Sequence, residues 1–383
     1  MAKKAYIGVD GVARKIKGGY VGVDGVARKI KKAYIGIGGV ARPCWAGGGK
    51  LEYYGMAESL TVMRVLPSAT TVGNYALFGG GGMGNANIQY SAVVDAYDTS
   101  LTHTAPTPLS VARRQLAATT VGNYALFGGG MASSDRSAVV DAYDTSLTRT
   151  TATPLLNKKE ALVATSVGNY ALFGGGATSQ TTVDAYDTSL TRTSTSLSVI
   201  RYAGIAATTV GSYALFGGGS NEYGTGVTTV DAVDTSLTRT KPTAMNRGRT
   251  YHGATAVGNY ALFGGGITSG VVNTDTVEAY DTALTRTNPT ALSAARQQPV
   301  GNAVGNYALF GGGYVNSSNA ATSVVDAYDT SLVRTTPTPL SMGKYQMGAT
   351  SVGDYALFGG GTAGSLIGTA SSPIADVEAY TIA

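Results

Sequence analysis

Basic and acidic residues recur at matching places in a repeated sequence, and they are the first candidates for chemistry. A basic residue stands eight residues before the Val of each VGxYALF string, except that Tyr202, preceded by Arg201, takes this place once. The acidic residues occur in VDAY, VDAV or VEAY strings: Asp95, Asp141, Asp184, Asp231, Glu278 and Asp326. An acid–base pair usually needs two carboxylates in different environments, so a carboxylate repeated in every unit indicates a structural role.

The basic positions have two interpretations. In the first, each side chain donates hydrogen bonds to backbone carbonyls between units, as the five donors of Arg allow. In the second, the side chains form a ring that binds carboxylates or phosphates of a bacterial surface polymer, and neighbouring aromatic rings stack on sugars. We predict a ligand-binding set on the second interpretation and leave the first open: Arg64, Arg113, Lys159, Arg201, Tyr202, Arg249, Tyr251, His252, Arg296, Lys344 and Tyr345.

Few other residues suit catalysis or metal binding. His103 stands where other units carry Arg, which predicts a surface substitution. His252 could contact a ligand, but no second His or Cys stands near it for a zinc site. Cys44 is the single cysteine and cannot form an internal disulfide. The sequence therefore predicts no catalytic residue, no metal and no cofactor, and favours a protein that is not an enzyme.

The repeat itself predicts the architecture. VGxYALFGGG strings begin at Val72, Val121, Val167, Val210, Val257, Val304 and Val352, which are 43 to 49 residues apart. Such a period is typical of propeller blades, and the short apolar runs between Gly and Asp turns predict four strands in each unit. The GGG string suits close approach of the next unit, while a phosphate cradle is the alternative that the absence of a following helix pattern disfavours.

These strings resemble Kelch repeats over residues 51–383. The shared features are the glycine doublet that ends the second strand, the aromatic-Asp pair that ends the third, as in Tyr143-Asp144, and the basic residue before the next unit. The resemblance implies an all-β, seven-bladed propeller. One departure concerns the fourth strand, where the family usually has Trp and this chain has Thr104, Thr150, Thr193, Thr240, Thr287 and Thr335.

The last unit ends at VEAYTIA and so lacks a fourth strand. The segment from Lys50 to Tyr54 stands at about the place before Arg64 that SLTHT holds before Arg113. We therefore predict that this N-terminal strand completes the last blade, which would leave no open sheet edge.

Residues 1–45 hold three shorter repeats, and residues 46–50 form a Gly-rich linker. Asp-Gly or Gly-Gly between apolar runs predicts three small β-hairpins, which cannot bury a core alone. Tandem YIGVDGVARKIKK units resemble the heads of structural proteins from phages and prophages of Gram-positive bacteria, which implies a docking module. We predict these assembly residues: Tyr6, Ile7, Arg14, Lys15, Tyr20, Val21, Arg28, Lys29, Tyr34, Ile35 and Arg42.

Charge is unevenly distributed in a chain whose formal net charge is +5. Residues 1–50 carry eleven Lys and Arg against two Asp, so the head is basic and the remainder acidic. Binding of nucleic acid is an alternative for the basic strands, but an acidic protein partner explains the same charges, and we predict no nucleic acid or membrane partner.

The connections between the second and third strands differ from unit to unit, whereas the other turns are nearly identical. Loops carry binding because they can change without disturbing a scaffold. We expect a homo-oligomeric virion protein, associated with the tail, baseplate or fibre, whose head binds other virion proteins and whose propeller binds a host-surface glycan, an anionic polymer or a neighbouring virion protein. A cellular Kelch adaptor and a carbohydrate-active enzyme are the alternatives. The N-terminus lacks a signal-peptide pattern, so we expect synthesis in the host cytoplasm.

Overall fold

The computed structural model describes residues 49–83, 89–133, 135–177, 181–364 and 372–382 in full, and the backbone of six strands between Tyr6 and Ala46. The chain divides into two compact units, one of residues 1–51 with 382–383 and one of residues 52–381. In the part that is described, no helix has the length and apolar character needed to cross a membrane.

The larger unit is built from four-stranded antiparallel sheets. The described residues form seven such sheets. We number the sheets 1 to 7 in the order of their first strands. Sheet 1 consists of Ser68–Val72, Tyr75–Gly79, Val94–Tyr97 and His103–Thr104, and sheet 2 of Ala117–Val121, Tyr124–Gly128, Val140–Tyr143 and Arg149–Ala152. Sheet 3 consists of Val163–Val167, Tyr170–Gly174, Thr182–Tyr186 and Arg192–Ser196, and sheet 4 of Ile205–Val210, Tyr213–Gly218, Val230–Asp234 and Arg239–Thr240. Sheet 5 consists of Gly253–Val257, Tyr260–Gly264, Val277–Asp281 and Arg286–Thr287, and sheet 6 of Val300–Val304, Tyr307–Gly311, Val325–Asp329 and Arg334–Thr335. Sheet 7 consists of Gly348–Val352, Tyr355–Gly359, Val377–Ile382 and Leu51–Ala57.

Shorter strands outside the seven sheets follow the second strand, or precede the first strand, of several units. They form pairs or triplets: Gly82–Met83 with Gln89–Tyr90; Arg249–Thr250, Ile267–Thr268 and Val272–Asn273; Tyr314–Val315 with Ala320–Ala321; and Lys344–Tyr345, Thr362–Ala363 and Ser372–Pro373.

Turn chemistry explains where the strands begin and end. In sheet 2, Val121 pairs with Tyr124, so Gly122 and Asn123 form a two-residue turn in which Gly122 has φ +53°. The turn after the third strand is closed by Asp144, whose Oδ1 accepts the backbone N–H groups of Ser146 and Thr148 at 2.9 Å. Both turns are those that the sequence predicts.

Both faces of the central strands are buried, because each sheet packs face to face on its neighbours. The ring of Phe127 in sheet 2 contacts Tyr143 edge-on at 5.8 Å. A Cβ on Gly79 of sheet 1 would lie 2.7 Å from Phe127, so only glycine lets the two sheets approach this closely. The short YALF and VDAY runs therefore fold as strands that are buried on both sides.

The first strands of successive sheets lie side by side, and the first strand of sheet 7 lies beside that of sheet 1. Hydrogen bonds link these strands: Thr70 and Thr120 share one between their hydroxyl groups at 2.8 Å. The hydroxyl group of Thr71 likewise lies 2.8 Å from that of Thr350 and donates to the carbonyl of Ser351 at 2.5 Å. The chain is all-β and propeller-like, as predicted.

The fourth strands lie on the outside of the larger unit. Thr150 pairs with Ala142 and is exposed, and so are the five equivalent threonines. A Trp side chain at this exposed place would have little to pack against.

The N-terminal unit contains three antiparallel hairpins, as the sequence predicts. Their strands are Tyr6–Val9 with Val12–Lys15, Tyr20–Val23 with Val26–Lys29, and Lys32–Ile37 with Val40–Ala46. Val9 pairs with Val12 and Ile37 with Val40, so two residues link the strands of these hairpins. The predicted assembly residues belong to these strands, but their side chains lie outside the described part of the structure.

Candidate functional site

The repeated basic and acidic residues meet inside each sheet. In sheet 2, Arg113 precedes the first strand, and its side chain reaches the end of the second strand and the start of the third. Its guanidinium group forms an ion pair with Asp141 and donates hydrogen bonds to the carbonyls of Gly129 at 2.8 Å and Val139 at 2.5 Å. Both charged side chains have no exposed surface. The cation is therefore bound by residues of its own sheet, although its buried Nε has no hydrogen-bond partner.

The same ion pair is found in all seven sheets. The pairs are Arg64–Asp95, Arg113–Asp141, Lys159–Asp184 at 3.0 Å, Arg201–Asp231 at 2.5 Å, Arg249–Glu278, Arg296–Asp326 at 2.8 Å and Lys344–Glu378 at 2.5 Å. Arg201 fills the place in sheet 4 although it stands nine residues before Val210, one more than in the other units.

The second carboxylate oxygen is also bound. Asp141 accepts the backbone N–H of Ser110 at 3.1 Å and an N–H of Arg149, from the fourth strand, at 3.0 Å. In sheet 1 the fourth-strand partner is His103, whose Nε2 lies 2.7 Å from Asp95 Oδ1. The prediction that His103 is a surface substitution is therefore wrong, because its ring is largely buried and replaces the guanidinium group of Arg149.

Burial changes the proton affinity of the cations. It lowers the pKa of Arg201 to about 10, although the charge of Asp231 opposes this shift. Burial likewise lowers the pKa of Lys159 against the opposing effect of Asp184. Arg201 remains charged at neutral pH, so its electrostatic interaction with Asp231 persists there.

The structure corrects the ligand-binding interpretation of the basic positions. The side chains of Arg64, Arg113, Lys159, Arg201, Arg249, Arg296 and Lys344 are at most 2% exposed, and each is ion-paired. A ligand cannot reach them without opening a sheet. The bonded carbonyls belong to the same sheet, so the structural interpretation holds in a modified form: these side chains join strands within a sheet rather than adjacent sheets.

The predicted aromatic and histidine residues divide by exposure. Tyr251 is 40% exposed and Tyr202 is half-buried, so both are accessible to a ligand. Tyr345 is buried against Tyr314, with ring centroids 5.2 Å apart. His252 is buried at a place that Leu116 and its counterparts fill in other sheets, so it does not face a ligand. The predictions for Tyr345 and His252 are therefore wrong on grounds of burial.

Two members of the site in sheet 7, Glu378 and Tyr53, were not predicted from the sequence. Glu378 is the seventh member of the carboxylate set, and Tyr53 supplies its fourth-strand partner by donating a hydrogen bond at 2.8 Å. The signal for Glu378 is the VEAY string near the C-terminus, which matches the VEAY string around Glu278. Tyr53 had no such signal, because the other units use Arg or His at this place.

The backbone before each first strand also binds the neighbouring sheet. The N–H of Gly81, after the second strand of sheet 1, donates to the carbonyl of Arg113 at 2.9 Å. The N–H of Gly361 donates in the same way to Arg64 at 2.9 Å. These contacts bring the segment before each first strand and the loop after each second strand to one face, which we name the variable face because those loops differ between units.

Two open cavities lie on the variable face. One of about 540 Å³ is lined by Gln89, Tyr90, Val111, Ala112 and Ser133. The other, of about 460 Å³, is mainly apolar and is lined by Leu60, Thr61, Val62, Met63, Met83, Pro373 and Ala375. In the described part of the chain, no group of three or more His, Cys, Asp and Glu side chains is arranged to hold a metal ion.

Comparison with known proteins supports the fold and goes no further. No family model matches the chain, and no curated protein matches it. A solved structure, described as "Structure of YjhT", does share the fold. It aligns with a TM-score of 0.57 and 14% sequence identity over 73% of this chain and 99% of its own. At this identity the likeness concerns architecture alone.

Proposed function

We propose that the chain is a non-enzymatic structural protein of a phage or prophage virion. Its larger unit is a seven-bladed, Kelch-type β-propeller whose variable face binds a host-surface glycan or a neighbouring virion protein. Its three hairpins dock on other virion proteins, and the assembled form is an oligomer. The observation that carries this proposal is the contrast between one buried ion pair repeated in every sheet and loops that differ in every sheet.

The contacts between sheets support the blade count and the closure. Each sheet is one blade, and the last blade takes its outer strand, Leu51–Ala57, from the N-terminal side of the other strands. The bonds from Thr71 to the strand of Thr350 and Ser351 join the first and last blades. A Cβ on Gly359 would lie 2.8 Å from Phe78, which repeats between these two blades the close approach of Gly79 to Phe127.

The buried ion pairs support a display role for the scaffold. Each removes from solvent the charged groups that could serve as acids, bases or anchors for a ligand. Since all seven blades use the pair in the same way, it holds each blade together internally and does not distinguish one blade from another. Recognition is then left to the loops, whose backbone can vary at little cost to the scaffold.

The hairpins support a docking role. Two-stranded hairpins are marginal on their own and need another surface or copy to bury their apolar side chains. Their resemblance to the heads of virion proteins gives that surface an identity: another protein of the particle. The basic excess of residues 1–50 suits an acidic docking site.

The proposal is tested by labelling the chain on native particles. Gold-labelled antibody against the propeller should decorate the tail, baseplate or fibre in electron micrographs, and the purified full chain should form a defined oligomer in sedimentation. A cellular adaptor would instead be absent from particles and would sediment as a monomer, and this result would contradict the proposal.

A further inference from the structure

Four segments of the variable face form one continuous surface over sheets 4 to 6. They are residues 220–227, 246–252, 267–276 and 314–321, and we call them the tyrosine–asparagine surface. Gly219 donates to the carbonyl of Arg249 at 3.0 Å, and Arg249 pairs with Thr268. The backbone N–H of Asn316 donates to Asn273 Oδ1 at 2.6 Å. The segments are therefore bonded to one another in sequence across three sheets.

The exposed aromatic and apolar side chains of this surface are held by rigid backbone. Asn221 accepts the N–H groups of Tyr223 at 3.0 Å and Thr225 at 2.9 Å, which fixes a turn whose Tyr223 is 82% exposed. Val271 has φ +61°, a conformation that is rare for a β-branched residue, and Asn316 donates a side-chain N–H to its carbonyl at 2.8 Å.

The surface carries little usable charge. Its exposed charged side chains are Glu222, Arg247 and Asp275. Arg249, the strongest candidate anchor for an anion, is buried against Glu278. An acidic polymer would therefore gain little electrostatic attraction here.

The remaining groups are aromatic rings, amides and hydroxyls. Tyr223 and Tyr251 offer ring faces, and Thr225 and Ser317 carry exposed hydroxyl groups. The side-chain amides of Asn273 and Asn316 are bonded within the surface and hold its segments together. Loops rich in Tyr, Asn, Ser and Gly are typical of recognition surfaces that combine rigid aromatic contact area with adaptable polar contacts. Sugars present apolar C–H faces to rings and hydroxyl groups to amides. Val271 and Val272, which are 68% and 59% exposed, add apolar area to the same surface.

We propose that the tyrosine–asparagine surface binds a neutral polysaccharide. This rests on the proposed attachment function and narrows its ligand from a glycan or an anionic polymer to an uncharged saccharide chain. Tyr223 and Tyr251 stack on the sugars, and the exposed hydroxyl groups of Thr225 and Ser317 hydrogen-bond to the sugar hydroxyl groups. Because no ion pair is formed with the ligand, binding is insensitive to salt.

Affinity gel electrophoresis of the full chain tests this inference. Gels contain dextran, mannan or galactan as neutral probes, or polygalacturonate or heparin as anionic probes, at low and high salt. We expect at least one neutral probe to retard the chain equally at both salt concentrations. Tyr223→Ala should weaken this retardation about threefold to tenfold, the range expected for loss of one stacked ring. Tyr251→Asn should do the same, since Asn tolerates the φ of +54° at this position.

Tyr54→Ala is the matched control, because Tyr54 is 55% exposed but lies on the outer strand of sheet 7. It should migrate like the wild type, and thermal melting should show all three variants folded. The inference is overturned if only anionic probes retard the chain, if no probe does, or if the Tyr223 and Tyr251 variants bind as the wild type does. Attachment itself is judged separately by binding of labelled chain to host cells. Cell binding that survives while the neutral probes fail would sink the neutral-glycan inference and leave the attachment function standing.

Discussion

The hydroxyl group of Tyr53 donates a hydrogen bond to the carboxylate of Glu378 at 2.8 Å, across 325 residues of sequence. In the other sheets a fourth-strand Arg or His approaches the equivalent carboxylate. Burial raises the pKa of the Tyr53 phenol, and the neighbouring carboxylate of Glu378 raises it further, so the phenol stays protonated and acts as a donor. This bond ties the strand that completes sheet 7 to the sheet's own ion pair.

Tyr53→Phe should therefore destabilise the larger unit while leaving its ring packing on Tyr380 intact. Loss of a hydrogen bond to a charged acceptor costs about 1.5–3 kcal/mol. Urea unfolding followed by circular dichroism measures the loss. Tyr223→Phe removes the same atom from a side chain that is 82% exposed and should leave the unfolding midpoint unchanged. Equal midpoints for Tyr53→Phe and the wild type would show that the bond contributes nothing.

Removing one member of a buried ion pair should be more costly. Asp141→Ala leaves Arg113 charged and buried without its carboxylate, for which the expected loss is about 3–5 kcal/mol in the free energy of unfolding. The double variant Arg113→Met with Asp141→Leu should lose less than the sum of the two single losses, since no charge is then left unpaired. A double-mutant cycle by urea unfolding measures the coupling.

The exposed pair Lys158–Asp135 is the control for this cycle. Its side chains are 63% and 60% exposed, with Nζ 2.6 Å from the carboxylate. Solvent screens such a pair, so Asp135→Ala should leave the unfolding midpoint close to that of the wild type. Additive losses at Arg113 and Asp141 would argue against the structural role of the buried pairs.

Neighbouring sheets approach each other closely at glycines, so substituting such a glycine should destabilise the larger unit. Gly80 has φ +68°, and a Cβ there would lie 2.7 Å from the carbonyl oxygen of Arg113 in the next sheet. Gly80→Ala therefore combines an unfavourable backbone conformation with a steric clash, for a loss of about 2–5 kcal/mol. Gly224→Ala isolates the backbone contribution, because Gly224 has φ +74° with no atom near the added Cβ, and should cost about 1–2 kcal/mol. Thermal unfolding of both variants measures the difference, and equal losses would mean that the sheets yield without cost.

The strands could be predicted from sequence because their signals are local. Val121 to Tyr124 is a two-residue turn, and Asp144 closes the next turn through its own backbone, so each can be recognised within a few residues. The partner of Arg113 could not be predicted in this way, since Asp141 lies 28 residues away and charged side chains are normally assigned to the surface. The recurrence of one cation and one carboxylate in each unit was visible, but burial was not.

Alignment of the units also predicts that His252 lies in the core. Three residues after the basic position, other sheets have Pro67, Leu116, Leu162, Pro299 and Met347, so this place is apolar. A histidine at an apolar position is more readily explained by the core than by a ligand. Tyr223, in contrast, lies in a loop whose length and sequence differ from those of the other units, so only the structure shows that it reaches solvent.

His252 should make the larger unit sensitive to acid. Burial lowers the pKa of its imidazole well below the ordinary value, and the positive charge of Arg249 lowers it further. The unfolded chain takes up a proton near pH 6.5 whereas the folded chain does not, so stability falls as the pH drops below about 6.5 at up to about 1.4 kcal/mol per pH unit. His252→Leu removes this dependence, and its advantage over the wild type in urea unfolding should therefore be larger at about pH 5.5 than at about pH 7.5. Met347→Leu changes the equivalent place in sheet 7 without a titrating group, and its effect should be the same at both values. An advantage of His252→Leu that does not grow on acidification would show that the folded protein accepts the proton and that the imidazole is not held neutral by burial.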